Sequence, residues 1–93
     1  MSIVARFTPS NLTTEKYTEA NRRLEAAGLW PNPDGLEYHV CFGSEGNLRD
    51  SEFWASEEQL AGVGERLMAI LSDVGIEFSG PREVVEVHNI IKH

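Results

Sequence analysis

Thiols, basic residues and long apolar runs are all scarce in this chain. A single cysteine, Cys41, excludes an intramolecular disulfide framework and any site built from several thiolates. No stretch approaches the roughly 18 consecutive apolar residues of a membrane span. The run Met-Ser-Ile-Val-Ala-Arg lacks a basic segment followed by an apolar one, so no secretory leader is expected and a cytoplasmic location is the default. Bases number 8 against 15 acids and form no stripe. That removes the electrostatic term of nucleic-acid binding and of docking on anionic membranes. The deficit is local: residues 34–58 hold seven acids against Arg49 alone. Such a patch reads as solubility before it reads as a dock for a basic partner. The chain also lacks a P-loop, a dinucleotide fingerprint, a nucleophile elbow and a His-Glu-X-X-His motif. His39, His88 and His93 do not stand at metal-ligand spacing, and no metal is assigned.

What is present is an ordinary globular composition, 41% hydrophobic and 25% charged over 93 residues, which fits one domain spanning 1–93. Residues 2–8 alternate as a strand stopped by Pro9. The spacing of Tyr17, Ala20, Leu24 and Ala27 predicts a helix from Thr13 or Thr14 to Ala27, with Gly28 beyond its end. Two prolines and a glycine make 30–35 a loop. Residues 36–43 and 48–55 read as a hairpin joined by Ser44–Asn47. Ser56 and Gln59 form a capping box ahead of Leu60, Val63, Leu67, Ile70, Leu71 and Val74, and Gly75 closes that helix. Gly62 and Gly64 inside it mark either a close contact or a tolerated weakness. Residues 84–91 give a fourth strand.

The order β-α-β-β-α-β is that of an α+β, ferredoxin-like sandwich. Right-handed crossovers then give a four-stranded antiparallel sheet in order 4-1-3-2 with both helices on one face. The other face, expected to carry Trp54, Val4, Val84 and Ile90, is too apolar to be left solvated, and a second copy of the sheet would cover it.

Element order and the segment Phe53-Trp54-Ala55-Ser56-Glu57-Glu58-Gln59-Leu60 resemble the dimeric α+β barrel superfamily, and within it the antibiotic-biosynthesis-monooxygenase-like branch. Leu36–Phe42 and Val87-His88-Asn89 look similar to a small actinobacterial-type subgroup of these barrels. The resemblance covers roughly residues 2–91. It implies a homodimer whose two sheets close a barrel, with a small-molecule pocket between sheet and helices in each subunit. Members include cofactor-free oxygenases, haem-degrading enzymes, isomerases and proteins without assigned activity, so fold alone does not choose among them. The haem-degrading members use an Asn on the first strand, the Trp, and a His on the second helix. Only Trp54 is matched here, which argues against haem degradation and leaves no cofactor called for, with His39 or His88 the remaining candidates to ligate iron.

Strand parity sharpens the site. With Ser44–Asn47 as the loop, His39 opposes Glu52, Glu37 opposes Trp54 and Cys41 opposes Asp50 on one face. Tyr38–Phe53, Val40–Ser51 and Phe42–Arg49 share the other, and their bulk argues for setting that face against the helices. Glu37, His39, Cys41, Glu52 and Trp54 would then line the barrel, joined by Arg6 and by His88 with Glu86. On this reading His39 is a general base oriented by Glu52, Trp54 is a stacking wall, and Arg6 or His88 stabilises developing negative charge. Trp30 is a pocket lid or a packing anchor, Tyr38 a core or substrate-contacting residue, and Cys41 a small buried hydrophobe. The function expected is a cofactor-independent monooxygenase or isomerase acting on a small aromatic or polyketide-like molecule. The competing readings are a non-catalytic ligand-binding dimer, a structural polar network at a dimer interface, or a haem-binding protein. The His39 assignment carries a condition. A ring turned toward the helices, or sealed from any cavity, would pass the role to His88.

Overall fold

The computed structural model describes residues 2–91; the expectation about His93 lies outside them. The elements run β1 (Ile3–Phe7), α1 (Thr14–Ala26), β2 (Leu36–Phe42), β3 (Arg49–Trp54), α2 (Glu57–Val74) and β4 (Glu83–Glu86). They form a four-stranded antiparallel sheet in the order β2-β3-β1-β4, which is the 4-1-3-2 order expected.

Both helices begin where side chains can satisfy their unpaired N–H groups. Thr13 Oγ1 accepts from Lys16 N (3.2 Å) and Ser56 Oγ accepts from Gln59 N (3.2 Å). Gly75 ends α2 at φ 91°, a left-handed conformation that a residue with a Cβ adopts only with strain. One core lies under β1 and β3, where Ile3, Ala5, Phe7, Trp54 and Leu60 are buried together. Two further clusters continue it between the helices, around Leu24, Leu29 and Leu67 and around Leu12, Ala20 and Ile76. Of the two helical glycines, Gly64 marks a close contact: a Cβ there would sit 3.0 Å from Arg82 Nη1. Gly62 faces open space.

The fourth strand is shorter than 84–91. β4 pairs residues 83–86 with Arg6 back to Ile3, and Val87 N then donates to Ser2 O (3.0 Å), the last such bond to this edge among the described residues. The chain continues with Ile90 and Ile91 beside Tyr38, Val40 and Phe53, forming an open groove of about 260 Å³ on the outer face.

The larger correction concerns which face meets the helices. Cross-strand pairing follows the expected register: His39 opposes Glu52, Val40 opposes Ser51, Cys41 opposes Asp50 and Phe42 opposes Arg49. The assignment of faces is inverted. Tyr38, Val40, Phe42 and Val85 are exposed, while Glu52 and Trp54 are buried toward the helices beside Ile3, Ala5 and Phe7. Antiparallel pairing makes this one decision for the whole sheet, because Ile3 opposes Trp54 and Ala5 opposes Glu52. Val84, opposite Ala5, belongs with the core too, so the outer face keeps Val4 and Ile90 but loses Trp54 and Val84. Glu37 is displaced by an irregularity between Leu36 and Tyr38, so Leu36 opposes Trp54 and Glu37 accepts from Ser2 Oγ (2.6 Å) instead.

Candidate functional site

The site is assembled on the β2–β3 hairpin and completed by α1. His39 Nδ1 lies 3.2 Å from Glu52 Oε2, and Trp54 Nε1–H donates to Glu52 Oε1 (3.0 Å). Glu52 is 2% exposed and Trp54 fully buried, so this carboxylate is held from both sides inside the core. Buried charge persists only when paired and hydrogen-bonded, and here both oxygens have partners. On the helix side, Tyr17 of α1 brings its hydroxyl to 2.9 Å from His39 Nε2, with the two rings parallel within 6°. Trp30 meets the imidazole edge-on, ring centres 5.0 Å apart.

The hairpin and α1 are tied together at their ends. Glu45, in the hairpin loop, accepts from Thr14 N (3.0 Å) and from Thr14 Oγ1, at the helix start where a carboxylate is favoured. This contact, with Ala20 packed beside Leu12 and Ile76 and Leu24 beside Leu29 and Leu67, holds α1 where Tyr17 meets His39. Beneath them lies a cavity of about 40 Å³, room for roughly three waters. Its lining is mostly apolar, Phe7, Leu24, Leu67 and Ile76 among it, with Tyr17, Asn21, His39, Asp50 and Glu52 as the polar members.

Burial and charge set the protonation of this cluster. Asp50, opposite Cys41, brings Oδ1 to 3.2 Å from His39 Nδ1, yet that oxygen is buried without a hydrogen-bond partner. Burial, then the charge of Glu52, push the Asp50 carboxyl up to about 8, against the opposing pull of His39. Burial pulls His39 down, but its hydrogen bond to Glu52 and the charges of Asp50 and Glu52 outweigh this, leaving the imidazole raised above its ordinary value. Burial raises the Tyr17 hydroxyl, with the Asn21 side chain working the other way. Cys41 is raised, first by burial and then by Asp50, which makes it a poor nucleophile.

His39, Asp50 and Glu52 each offer a ligand atom within 4.8 Å of the others, a set of one nitrogen and two oxygens that could share a divalent cation. A proton on Asp50, whose carboxyl is pushed up to about 8, would offset the same charge. A haem does not fit here: the cavity is far too small, and both ring nitrogens of His39 are engaged.

The expected site residues divide into two groups. His39, Glu52, Trp54 and Trp30 converge, on the helix side of the sheet. Arg6, Tyr38 and His88 do not join them. Arg6 lies on the outer face and pairs with exposed Glu83 (3.3 Å), because its register partner is Ser51 rather than Glu52. Tyr38 meets Phe53 edge to face on that same outer face. His88 is exposed beyond the end of β4. The condition that would pass the role from His39 to His88 is therefore met, and the premise behind it, a cavity on the outer face, is what the structure overturns. The His39 ring does turn toward the helices, but the cavity is on that side and His39 lines it, while His88 lies outside it. Three further residues of the cluster, Tyr17, Asn21 and Asp50, were not singled out by spacing. Asp50 was legible as the neighbour-but-one of Glu52; Tyr17 and Asn21 looked like helix residues and nothing more.

No protein-family profile matches the chain, and no curated protein is similar to it. Among solved structures it is similar to "Structure of Rv0793 from Mycobacterium tuberculosis", at 23% identity and a TM-score of 0.49, over 98% of this chain and 95% of that one.

Proposed function

We propose that this chain is a homodimeric, antibiotic-biosynthesis-monooxygenase-like α+β barrel protein that removes a proton from a small apolar molecule, aromatic or polyketide-like, as a cofactor-independent monooxygenase or isomerase. One observation carries the reading: an imidazole raised above its ordinary pKa and braced by a buried carboxylate, lining a mostly apolar cavity. Such an imidazole accepts a proton near neutrality, and the carboxylate stabilises the imidazolium that results. The apolar walls keep water from competing for the base and suit a carbon acid or phenol.

The homodimer is supported by the outer face. Tyr38, Val40, Phe42, Val85 and Ile90 are between 40% and 47% exposed and Ile91 is 74% exposed, an apolar surface that a second sheet would cover. A second reading, a non-catalytic binding or structural dimer, is favoured by the cavity volume. About 40 Å³ is well short of the roughly 300 Å³ of small-molecule sites. The catalytic reading therefore requires Trp30, half-buried on the loop between α1 and β2, to move aside on binding.

Deuterium exchange tests the proposal. With 2-indanone in D₂O as a small apolar carbon acid, the protein should speed loss of the α-proton signal, and His39→Gln should lower that rate at least 100-fold. The same sample should sediment as a dimer at micromolar concentration. Exchange no faster than buffer, with 2-indanone and with its phenolic counterpart indan-5-ol as a binding competitor both inert, supports the structural reading instead; a stable monomer removes the barrel.

A further inference from the structure

We infer that Tyr17 is a catalytic residue: its phenol oxygen, not the His39 imidazole, is the atom that meets the substrate's proton, and His39 and Glu52 work behind it. The inference rests on the proton-transfer reading above and assigns its first step to a residue of α1.

The geometry leaves His39 no free lone pair. An imidazole has two ring nitrogens, one a donor and one an acceptor when neutral. Nδ1 faces two carboxyl oxygens, Glu52 Oε2 and Asp50 Oδ1, each at 3.2 Å, which assigns its proton to that side. Nε2 is then the acceptor, and it already receives the Tyr17 O–H at 2.9 Å. Turning the ring toward a ligand would break both bonds. Glu52 is fixed in turn by the buried Trp54 N–H. The result is a single string, Tyr17–His39–Glu52–Trp54, whose outer end is a tyrosine that lines the cavity and whose inner end is in the core. Asn21, one turn after Tyr17 on α1, lies beside that hydroxyl.

The step balances without any further reagent. A carbon or phenolic acid approaches a lone pair of the Tyr17 oxygen. Its proton passes to that oxygen as the Tyr17 proton passes to His39 Nε2, and the electron pair of the broken bond stays on the substrate. The products are a substrate anion, a neutral Tyr17 and an imidazolium whose Nδ1–H is held by Glu52. The reverse transfer returns the proton to the same atom, giving exchange, or to a conjugated one, giving an isomer. Tyr17 need not become a free phenolate, which its burial opposes. Hydroxyl and imidazole are pre-aligned, so little reorganisation is needed at the moment of transfer.

Tyr17→Phe separates the relay from direct action by His39. Under the relay, Tyr17→Phe lowers α-proton exchange of 2-indanone at least 100-fold, as far as His39→Gln does. If His39 takes the proton itself, Tyr17→Phe uncovers Nε2 and the rate holds or rises, which overturns the inference. Exchange absent from the wild type overturns the proton-transfer reading and the relay with it. A second readout needs no turnover. Diethyl pyrocarbonate acylates an unprotonated imidazole nitrogen, and peptide mass spectrometry reads each histidine separately. In the wild type, His39 should react at least tenfold more slowly than exposed His88, and Tyr17→Phe should remove that protection. Reaction of wild-type His39 at the His88 rate, or equal protection in both proteins, overturns the assignment of Tyr17 as the group in front of Nε2.

Discussion

Trp54→Ala is expected to abolish cooperative folding of this protein. The indole is fully buried against Ile3, Ala5, Phe7 and Leu60, and truncating a buried Trp costs about 3–5 kcal/mol in lost transfer energy and cavity. Its loss also removes the indole N–H that donates to Glu52 Oε1 in the core, adding about 1–3 kcal/mol for a weakened buried polar group. Together these approach the whole stability of a small domain, about 5–15 kcal/mol. Trp54→Phe isolates the second effect, since it keeps most of the bulk and removes the N–H. Urea denaturation followed by circular dichroism should show no transition for the alanine variant and a loss of about 1–3 kcal/mol for phenylalanine. A phenylalanine variant as stable as the wild type would mean that the Glu52 carboxylate is not held by the indole.

The second large effect is on pH dependence, and its sign is opposite to ordinary acid denaturation. Asp50 titrates near 8 in the folded protein and near 3.8 in the unfolded chain. Across that window the native state holds a proton that the unfolded state has lost, so stability falls as pH rises. The contribution is complete below the unfolded value and gone above the folded one. His39, raised above 6.5, acts in the same direction over the upper part of the window. Between pH 5 and pH 9 the wild type should therefore lose on the order of 2–4 kcal/mol, each pKa unit being worth about 1.4 kcal/mol. Asp50→Asn keeps the shape, removes the titration and should flatten most of that slope, leaving the variant the more stable protein at pH 9. Urea midpoints across this range measure it; a wild-type stability that rises or stays level with pH contradicts the assignment.

Much of this architecture was legible in the sequence because the signals are local. The caps at Thr13 and Ser56, the left-handed Gly75 and the loop Ser44–Asn47 each act within a few residues, and the loop length alone set the register that puts His39 opposite Glu52. The choice of face is not local to the hairpin. Tyr38, Val40, Phe42 and Phe53 make its bulkier side, yet bulk says only that a face will be covered, not by what. The deciding signal was on β1, where Ile3, Ala5 and Phe7 alternate with Val4, Arg6 and Thr8. The charged and hydroxyl side chains mark the outward face, and antiparallel pairing carries that choice to Glu52 and Trp54. Tyr17 could not be found this way. It stands 22 residues before His39, at helical spacing with Ala20 and Leu24, and only the docking of α1 across the sheet brings its hydroxyl to the imidazole.

The most direct test of the buried His39 cluster is a pH titration of its side-chain ¹⁵N resonances. The arrangement predicts a neutral ring protonated at Nδ1, toward Glu52, with Nε2 unprotonated and accepting, and a pKa above 6.5. A ring protonated at Nε2, or one titrating at or below the value of a free imidazole, would mean that neither Glu52 nor Tyr17 holds it in the geometry described here.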